Sequence, residues 1–354
     1  MTRVMVHRRS AIWNFGVRNN DLPQPPQRSV TGRLFRRPVT LLGLNASRAV
    51  TQIHSRIVRR ELSALIGALM LNIKKILLPL DLQEAALPVT LIRQTTALAH
   101  RFGSEILILH VVKPLTYLTT GAEAHELIEQ AVAREQDKLK TCLGSELDAL
   151  SVRRVVIKGD PAREIVRTAH DEKVDLIVMP THGYGMIERF LLGSVTAKVL
   201  HGSECPVWAS AHVEKGPDQN LVIRNVLCAI DFSSHSHKTI RWAQEVAAEF
   251  GAELTLAHVT PGVEIYGPGG HHVLNGMKQE LVNSAAKQMA KIQEELGTKA
   301  TVFIGSGDVP KVISHAAKET KADLLIVGCR SHGGRLGTVA YGIIRESPIP
   351  VLSI

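Results

Sequence analysis

The chain has 354 residues; 45% of them are apolar, 21% are charged and 4% are aromatic, and the formal net charge is +9. This composition is ordinary for a globular protein with a sizeable core, and it excludes the collagen, low-complexity and disulfide-scaffold classes. A domain size of roughly 150 residues predicts two domains. The four cysteines lie far apart and lack zinc-ligand spacing, which favours a reducing compartment and hence a cytoplasmic location. No apolar run reaches the roughly 18–20 residues of a membrane-spanning helix, so no membrane association is predicted.

The positive charge is concentrated in residues 1–70. This segment holds twelve arginines and no lysine against two acids, so the rest of the chain is close to neutral. Four prolines and the lack of a hydrophobic period predict a disordered extension, because such a segment buries too little apolar surface to offset its ordering entropy.

Three interpretations of this extension are open: a nucleic-acid-binding arm, an organellar targeting peptide, or an upstream stretch that is not normally translated. A nucleic-acid-binding arm usually mixes lysine with arginine and interleaves aromatic residues, and the absence of lysine argues against nucleic acid as a partner. The third interpretation is favoured, because Met70 leads directly into the first predicted strand.

From residue 71 onward, short apolar runs alternate with longer helical patterns, which is typical of βαβ units and a parallel sheet. The first series of such runs predicts helices up to about residue 100, over 122–142, from Pro161 and from Ser194. The predicted strands of this series cover residues 76–81, 105–111, 152–158, 175–179 and 205–208.

The same series of elements then occurs a second time. Asp81 and Asp231, which follow the first strand of each series, are 150 residues apart, and His110 and His258 are 148 apart. The offset falls to 144 at the prolines before the last strands, which indicates a shorter loop between the fourth strand and the last helix of the second series. A nearly constant offset over five landmarks predicts an internal duplication.

We therefore predict an α/β fold of two tandem flavodoxin-like (Rossmann-like) domains, each a five-stranded parallel sheet with helices on both faces. Residues 71–211 are assigned to the first domain and residues 212–222 to a linker. Residues 223–354 are assigned to the second domain, which carries the shortened loop.

The loop after the fourth strand has the features of a phosphate-binding site. Ligands of an open parallel sheet bind beyond the carboxyl ends of the strands, where this loop lies. Gly193 allows close approach of the backbone, and Ser194 begins a helix whose unpaired N–H groups favour an anion. The hydroxyl groups of Ser194 and Thr196 add donors, and Asp81 can accept hydrogen bonds from a base or ribose. A triphosphate can then be held largely by the backbone, without a Walker lysine.

These residues resemble the universal stress protein family in its tandem two-domain form. The family pattern is Gly-x-x-Gly, nine residues and Gly-Ser/Thr, beside a first-strand Pro-x-Asp and a second-strand His-Val. The resemblance covers residues 71–354, and the matching segments are Pro79-Leu80-Asp81, His110-Val111, Gly183 and Gly193-Ser194.

This resemblance implies ATP or AMP as the ligand. Mg²⁺ can accompany ATP through its phosphates and water. It also implies pairing of the terminal strands, either between the two halves as an intramolecular pseudo-dimer or between chains as a homodimer. The residues that it assigns to nucleotide binding are Pro79, Asp81, Val111, Met179, His182, Gly183, Gly193, Ser194, Val195 and Thr196.

The chain departs from the family pattern in both copies. In the first copy Pro180 replaces the first glycine, which removes a backbone N–H and leaves open whether nucleotide binding is weakened or lost. In the second copy three residues separate Gly333 from Gly337, against nine between Gly183 and Gly193. We therefore treat the second site as degenerate, and its candidate residues are Asp231, Val259, Gly328, Gly337 and Thr338.

No sequence motif assigns a chemical step, since there is no nucleophile elbow, no Walker lysine and no kinase Asp/Asn set. No catalytic residue is predicted, and no metal ligand either, because the two close histidine pairs lack a cysteine or carboxylate at ligand spacing. The leading hypothesis is a nucleotide-dependent stress-response regulator, not an enzyme, that acts through unidentified protein partners. The alternatives are a scaffold whose sites no longer bind nucleotide and, least favoured, a slow ATPase.

Overall fold

The computed structural model describes residues 4–8, 11–12, 71–83, 88–113, 122–143, 147, 149–181, 192–210, 221–262, 270–328 and 337–354. All of them belong to one structural unit. The strands of these residues are β1 (Val4–Arg8), β2 (Ala11–Ile12), β3 (Lys75–Pro79), β4 (Glu105–Val112), β5 (Val152–Lys158), β6 (Leu176–Pro180), β7 (Val207–Ser210), β8 (Asn225–Ala229), β9 (Glu253–Thr260), β10 (Thr301–Ser306), β11 (Leu324–Val327) and β12 (Val351–Ser353). The helices are α1 (Val89–Phe102), α2 (Ala122–Thr141), α3 (Pro161–Asp171), α4 (Ser194–Gly202), α5 (Ser236–Phe250), α6 (Gly270–Leu296), α7 (Val309–Glu319) and α8 (Thr338–Glu346).

The strands form one sheet in the order β2-β1-β10-β9-β8-β11-β12-β7-β6-β3-β4-β5. The five strands β7-β6-β3-β4-β5 of the first copy are mutually parallel. The same is true of β10-β9-β8-β11-β12 in the second copy. The predicted fold of two five-stranded parallel α/β units is therefore confirmed.

Each strand of these units presents alternate side chains to two apolar cores, one on each face of the sheet. In β3, Ile76 and Leu78 belong to one core and Leu77 to the other. Helices α1, α2, α5 and α6 contribute buried residues to the first core. Helices α3, α4, α7 and α8 contribute to the second. Both cores contain residues of both copies, so the two copies share their apolar interior.

The two copies are joined where β7 and β12 pair antiparallel. Trp208 lies opposite Leu352 in this pair, and both side chains are buried. The two residues occupy equivalent positions of the duplication, 144 residues apart. Of the two pairings that the family resemblance implied, the structure contains the one between the halves of a single chain.

The first strand differs from the sequence-based expectation. Residues 1–70 are predicted to be mostly disordered, whereas β1 within this segment pairs parallel with β10, with Val4 opposite Val302. In the described sheet, β10 is the outermost strand of the second copy, so a further strand can pair with its edge. The short run of Val, Met and Val in β1 has the β propensity to extend the sheet in this way. The other expectations for residues 1–70 concern residues outside the described part of the chain and remain predictions.

A second contact between the copies joins the C-terminal ends of α1 and α5. The Arg101 Nε lies 2.9 Å from Glu249 Oε1, and the Arg101 guanidinium lies 4.4 Å from the centre of the Phe250 ring. The rings of Phe102 and Phe250 meet edge to face, with centroids 6.3 Å apart. Arg101 and Glu249 occupy equivalent positions, as Phe102 and Phe250 do, all at an offset of 148 residues.

Reversing one charge of the Arg101–Glu249 pair is expected to lower the free energy of unfolding by about 0.5–1 kcal/mol, because each change brings two like charges together. The double reversal, Arg101→Glu with Glu249→Arg, is expected to recover most of this loss. Urea denaturation of the two single variants and the double variant gives the coupling energy. The matched control is the exposed pair of Lys140 and Asp137, for which we expect almost no coupling. Equal coupling in both pairs would contradict the prediction.

Candidate functional site

The first copy contains a cavity of about 260 Å³ at the carboxyl ends of its strands. The central strand β3 has β4 on one side and β6 on the other, and the chain crosses to opposite faces of the sheet at this point. Such a switch point leaves a crevice in which ligands of α/β proteins bind. The lining residues are Pro79, Leu80, Asp81, Pro88, Leu109, His110, Val111, Lys113, Pro161, Ile165, Met179, Pro180, Gly193, Ser194, Val195 and Thr196.

Most of the residues predicted for nucleotide binding meet in this cavity. His182 and Gly183 lie outside the described residues. The predicted residues that line the cavity are Pro79, Asp81, Val111, Met179, Gly193, Ser194, Val195 and Thr196. Their contacts with a nucleotide remain predictions.

Sequence reasoning missed Lys113, which is exposed and lines the same cavity. Its ammonium group is a cation that a phosphate can pair with. The sequence gives only a weak signal for Lys113 as a site residue. It is a single lysine directly beyond the predicted second strand, on the edge of the sheet where ligands bind.

Helix α4 begins at this cavity without a side-chain cap. Its N-cap is Gly193, and among the described residues the helix has no side-chain cap hydrogen bond. By contrast, α3 is capped by Asp160, whose carboxylate accepts from the Arg163 N–H at 3.0 Å. The uncapped first turn and the positive end of the helix dipole are suited to an anion.

Two contacts hold the start of α4 against the end of β6. The Thr196 hydroxyl donates to the Pro180 carbonyl at 2.8 Å, and the Gly193 N–H donates to the Thr181 carbonyl at 2.7 Å. The sequence predicted the Thr196 hydroxyl as a donor to phosphate, whereas in the structure its hydrogen is already used within the protein. Thr196 therefore positions the loop, and the Ser194 hydroxyl stays as the candidate side-chain donor.

Pro180 is the last residue of β6, where it lies opposite Ser210 of β7. The ladder beyond this proline continues, because the Thr181 N–H donates to the Ser210 carbonyl at 3.0 Å. The strand end thus tolerates the missing N–H of Pro180. The proline lines the cavity beside Met179.

Asp81 lies on the turn that follows β3, and its carboxylate is exposed. One carboxylate oxygen accepts a hydrogen bond from the Gln83 N–H at 3.0 Å. Beneath this turn, His110 Nδ1 lies 2.9 Å from the Leu80 carbonyl oxygen. The carboxylate retains acceptor capacity towards the cavity.

The second copy contains an equivalent cavity, also of about 260 Å³. Ala229, Gly328 and Ala340 take the positions of Pro79, Pro180 and Thr196. Helix α8 again has a glycine N-cap, and within the described ranges it has no side-chain cap. Residues 329–336 lie outside the described part. Of the second-site candidates, Thr338 begins α8, and those that line the cavity are Asp231, Val259, Gly328 and Gly337.

Among the described residues, the Asp231 carboxylate accepts two hydrogen bonds, against one for Asp81. Its Oδ1 accepts hydrogen bonds from the Ser233 N–H at 2.9 Å and from the Ser236 hydroxyl at 3.1 Å. Partial desolvation raises the pKa of the Asp231 carboxyl, but the hydrogen bonds from Ser233 and Ser236 together outweigh it and hold the pKa below the ordinary value of 3.8.

We expect this carboxylate to make stability depend on pH in the acid range. Because the folded pKa is lowered, its contribution is complete above pH 3.8 and is lost as the pH falls through the folded value. Urea denaturation between pH 3 and 6 is expected to show a shallower loss of stability on acidification for Asp231→Asn than for the wild-type chain. Parallel curves for the two proteins would count against this role.

No group of three or more His, Cys, Asp or Glu side chains within the described ranges could hold a metal ion. In the same part of the chain, no helix is both long enough and apolar enough to cross a membrane.

Two kinds of comparison place the chain among known sequences. A model described as the universal stress protein family matches residues 72–210 and 223–354. A universal stress protein of Methanothermobacter thermautotrophicus is 35% identical over 122 residues, which are 33% of this chain and 83% of that protein. One of Mycobacterium tuberculosis is 26% identical over 259 residues, 69% of this chain and 85% of that protein.

A solved structure agrees with the fold. The universal stress protein of Archaeoglobus fulgidus superposes with a TM-score of 0.57 and 24% sequence identity, covering 80% of this chain and 97% of that one. The two family matches together span most of the chain, and each falls on one of the two parallel units described above. The chain therefore belongs to the universal stress protein family, in which it is a tandem two-domain member.

Proposed function

We propose that this protein binds ATP or AMP in the first-copy cavity and acts as a nucleotide-dependent regulator through protein partners. The observation that carries the proposal is the uncapped start of α4, which opens into the same cavity as Asp81. The anion-binding end of a helix and an acceptor for ribose or base are the two elements that a nucleotide needs.

The individual contacts follow from the lining. The α- and β-phosphates would lie on the N–H groups of α4, with the Ser194 hydroxyl and Lys113 as further donors. The ribose hydroxyls would donate to Asp81, and the base would lie between Pro79 and Met179. Mg²⁺ would accompany ATP through phosphate oxygens and water. No described residue is assigned a chemical step, so the proposed role is binding.

A cytoplasmic location is part of this proposal. Cys228 of β8 is a buried thiol that forms no disulfide, as expected for a reducing compartment.

Calorimetric titration of the full chain with ATP and with AMP tests the proposal. We expect saturable binding that Val111→Trp abolishes, because an indole at this half-buried cavity position fills the space of the ligand. Val259→Trp is the matched control, since Val259 has the equivalent position in the second cavity.

Retained binding in the Val259→Trp variant places the nucleotide in the first copy. Loss of binding in that variant alone would move the nucleotide to the second copy and contradict the proposal. No binding by the wild-type chain at millimolar ATP would instead favour the scaffold alternative, with Pro180 as the first residue to examine.

A further inference from the structure

A surface groove of about 580 Å³ lies between α3 and the C-terminal end of α4 in the first copy. It is lined by residues of α3 and of the turn after this helix, and by residues at the end of α4 and directly after it. We call it the α3–α4 groove. It has no lining residue in common with the first-copy cavity, so it is a second surface feature of the same copy.

The floor of the α3–α4 groove is apolar. Val166, Val174 and Cys205 line it, and all three belong to the second core or pack against it. Gly202 keeps the floor open, because a Cβ atom at this position would lie 3.5 Å from the Val166 side chain and a longer side chain would extend into the groove. An apolar side chain of a ligand can therefore be removed from water here.

The rim of the groove is basic. Its exposed residues include Arg163, Arg167, His170 and Lys173, against one acid in the lining, Glu204. The first three are four and three residues apart and therefore lie on one face of α3.

Two of these cations are not neutralised within the described part of the chain. Arg167 pairs with Glu164 at 2.6 Å, whereas Arg163 and Lys173 have no ion pair there. Lys173 also has a left-handed backbone, with φ of 53°, a conformation that favours glycine. A cation near the end of a helix offsets part of this strain. The equivalent Lys321 of the second copy has φ of 50°, so both copies keep a lysine at this turn.

The second copy has the basic rim but not the apolar floor. At the offset of 148 residues the four basic residues correspond to exposed basic residues, which are Lys311, His315, Lys318 and Lys321. Elsewhere between residues 161 and 173 the copies have the same residue only at Ile165 and Ala169, both buried. Basic character is therefore retained on a helix that has otherwise changed.

The floor residues differ between the copies. Val166 corresponds to Ser314 at this offset. At the offset of 144 residues Gly202 corresponds to Glu346, whose side chain is 18% exposed and pairs with Arg345 at 2.9 Å. The second copy thus has a hydroxyl group and an acid where the first has an apolar floor, and it serves as an internal control.

The chemistry of the groove favours a protein ligand over a nucleic acid. Nucleic acids are bound by a track of cations and by aromatic side chains on which bases stack. The described residues of the groove include no aromatic residue, and they include Glu204. An amphipathic segment with an acidic face and an apolar face matches both the rim and the floor.

We propose that the α3–α4 groove binds an acidic amphipathic segment of a partner protein. Carboxylates of the segment pair with Arg163, Arg167 and Lys173, and an apolar side chain lies on the floor beside Val166. This inference deepens the proposed function by stating the chemistry of the partner, and it rests on that function for the role of the complex.

Fluorescence anisotropy of a labelled helical peptide, with leucine on one face and glutamate on the other, tests the proposal on the full chain. We expect saturable binding, and none of a peptide with lysine in place of glutamate. Arg163→Glu combined with Lys173→Glu is expected to weaken binding by at least about tenfold, the effect of one lost contact with a charged group. The matched control is Lys311→Glu combined with Lys321→Glu, which changes the net charge equally and is expected to leave the affinity unchanged.

Gly202→Glu tests the floor separately from the rim. It introduces the residue that the second copy has at the equivalent position, so we expect the fold to tolerate it and the peptide to bind at least about tenfold more weakly.

No saturable binding of the acidic peptide by the wild-type chain overturns the proposal, and so does an equal loss in the two double variants, which would show that net charge alone acts. Binding of a labelled single-stranded DNA in place of the peptide, lost in the first-copy double variant, would assign the groove to nucleic acid instead. The peptide is titrated without nucleotide. Failure of ATP binding therefore contradicts the proposed function alone, and failure of peptide binding contradicts this inference alone.

Discussion

Replacing Asp81 with asparagine is expected to weaken ATP binding by about ten- to a hundredfold. The amide has the shape of the carboxylate but lacks its charge, and a hydrogen bond to a charged group contributes about 1.5–3 kcal/mol. Asp81 is exposed on a turn, and within the described residues its carboxylate has one hydrogen bond, from the adjacent Gln83 N–H. The fold should therefore tolerate the change. Calorimetric titration of the full chain with ATP measures the affinity.

The matched control is Asp231→Asn, which makes the same substitution at the equivalent turn of the second copy. We expect the affinity of the first-copy site to stay at the wild-type value, since Asp231 lines the other cavity. Wild-type affinity in Asp81→Asn would show that this carboxylate does not contact the nucleotide, even if binding itself is confirmed.

Replacing Leu77 or Leu227 with alanine is expected to lower the free energy of unfolding by about 2–5 kcal/mol in each case, because each change leaves a cavity in a closely packed core. The two leucines are equivalent residues of β3 and β8, and both are fully buried in the same core. That core continues across the pairing of β7 with β12. We therefore expect each substitution to shift a single transition that includes both copies.

Urea denaturation followed by circular dichroism and by tryptophan fluorescence measures this effect. Trp208 reports on the junction between the copies and Trp242 on α5. Coincident transitions from both signals support unfolding as one unit. Two separate transitions, with Leu77→Ala shifting one and Leu227→Ala the other, would show that the copies unfold independently.

The fold could be predicted because the chain contains the same series of elements twice. Each copy repeats the same order of apolar runs, and a strand buried on both faces, such as β3, is a continuous apolar run that sequence reading detects. The residues that gather at the cavity were predictable for a related reason. They lie at the ends of strands or beyond them, at the carboxyl edge of a parallel sheet, so topology alone brings Asp81, Met179 and Gly193 together.

The features that could not be predicted all depend on packing between distant segments. The direction of the Thr196 hydroxyl depends on how β6 ends, and the pairing of β1 with β10 joins segments about 300 residues apart. The approach of His110 Nε2 to Glu135 Oε2, at 4.0 Å, depends on how α2 packs on β4. Neighbours that are remote along the chain leave no local pattern in the sequence.

The contacts between the copies place equivalent positions against each other, Trp208 against Leu352 and Arg101 against Glu249. In an assembly of two identical chains, every such position on the symmetry axis would meet its own duplicate, so an arginine would face an arginine. Gene fusion removes that restriction, because each member of a facing pair can change by itself. The opposite charges of Arg101 and Glu249 are a change of this kind. They favour contact between the two different halves of the molecule over contact between two copies of the same half.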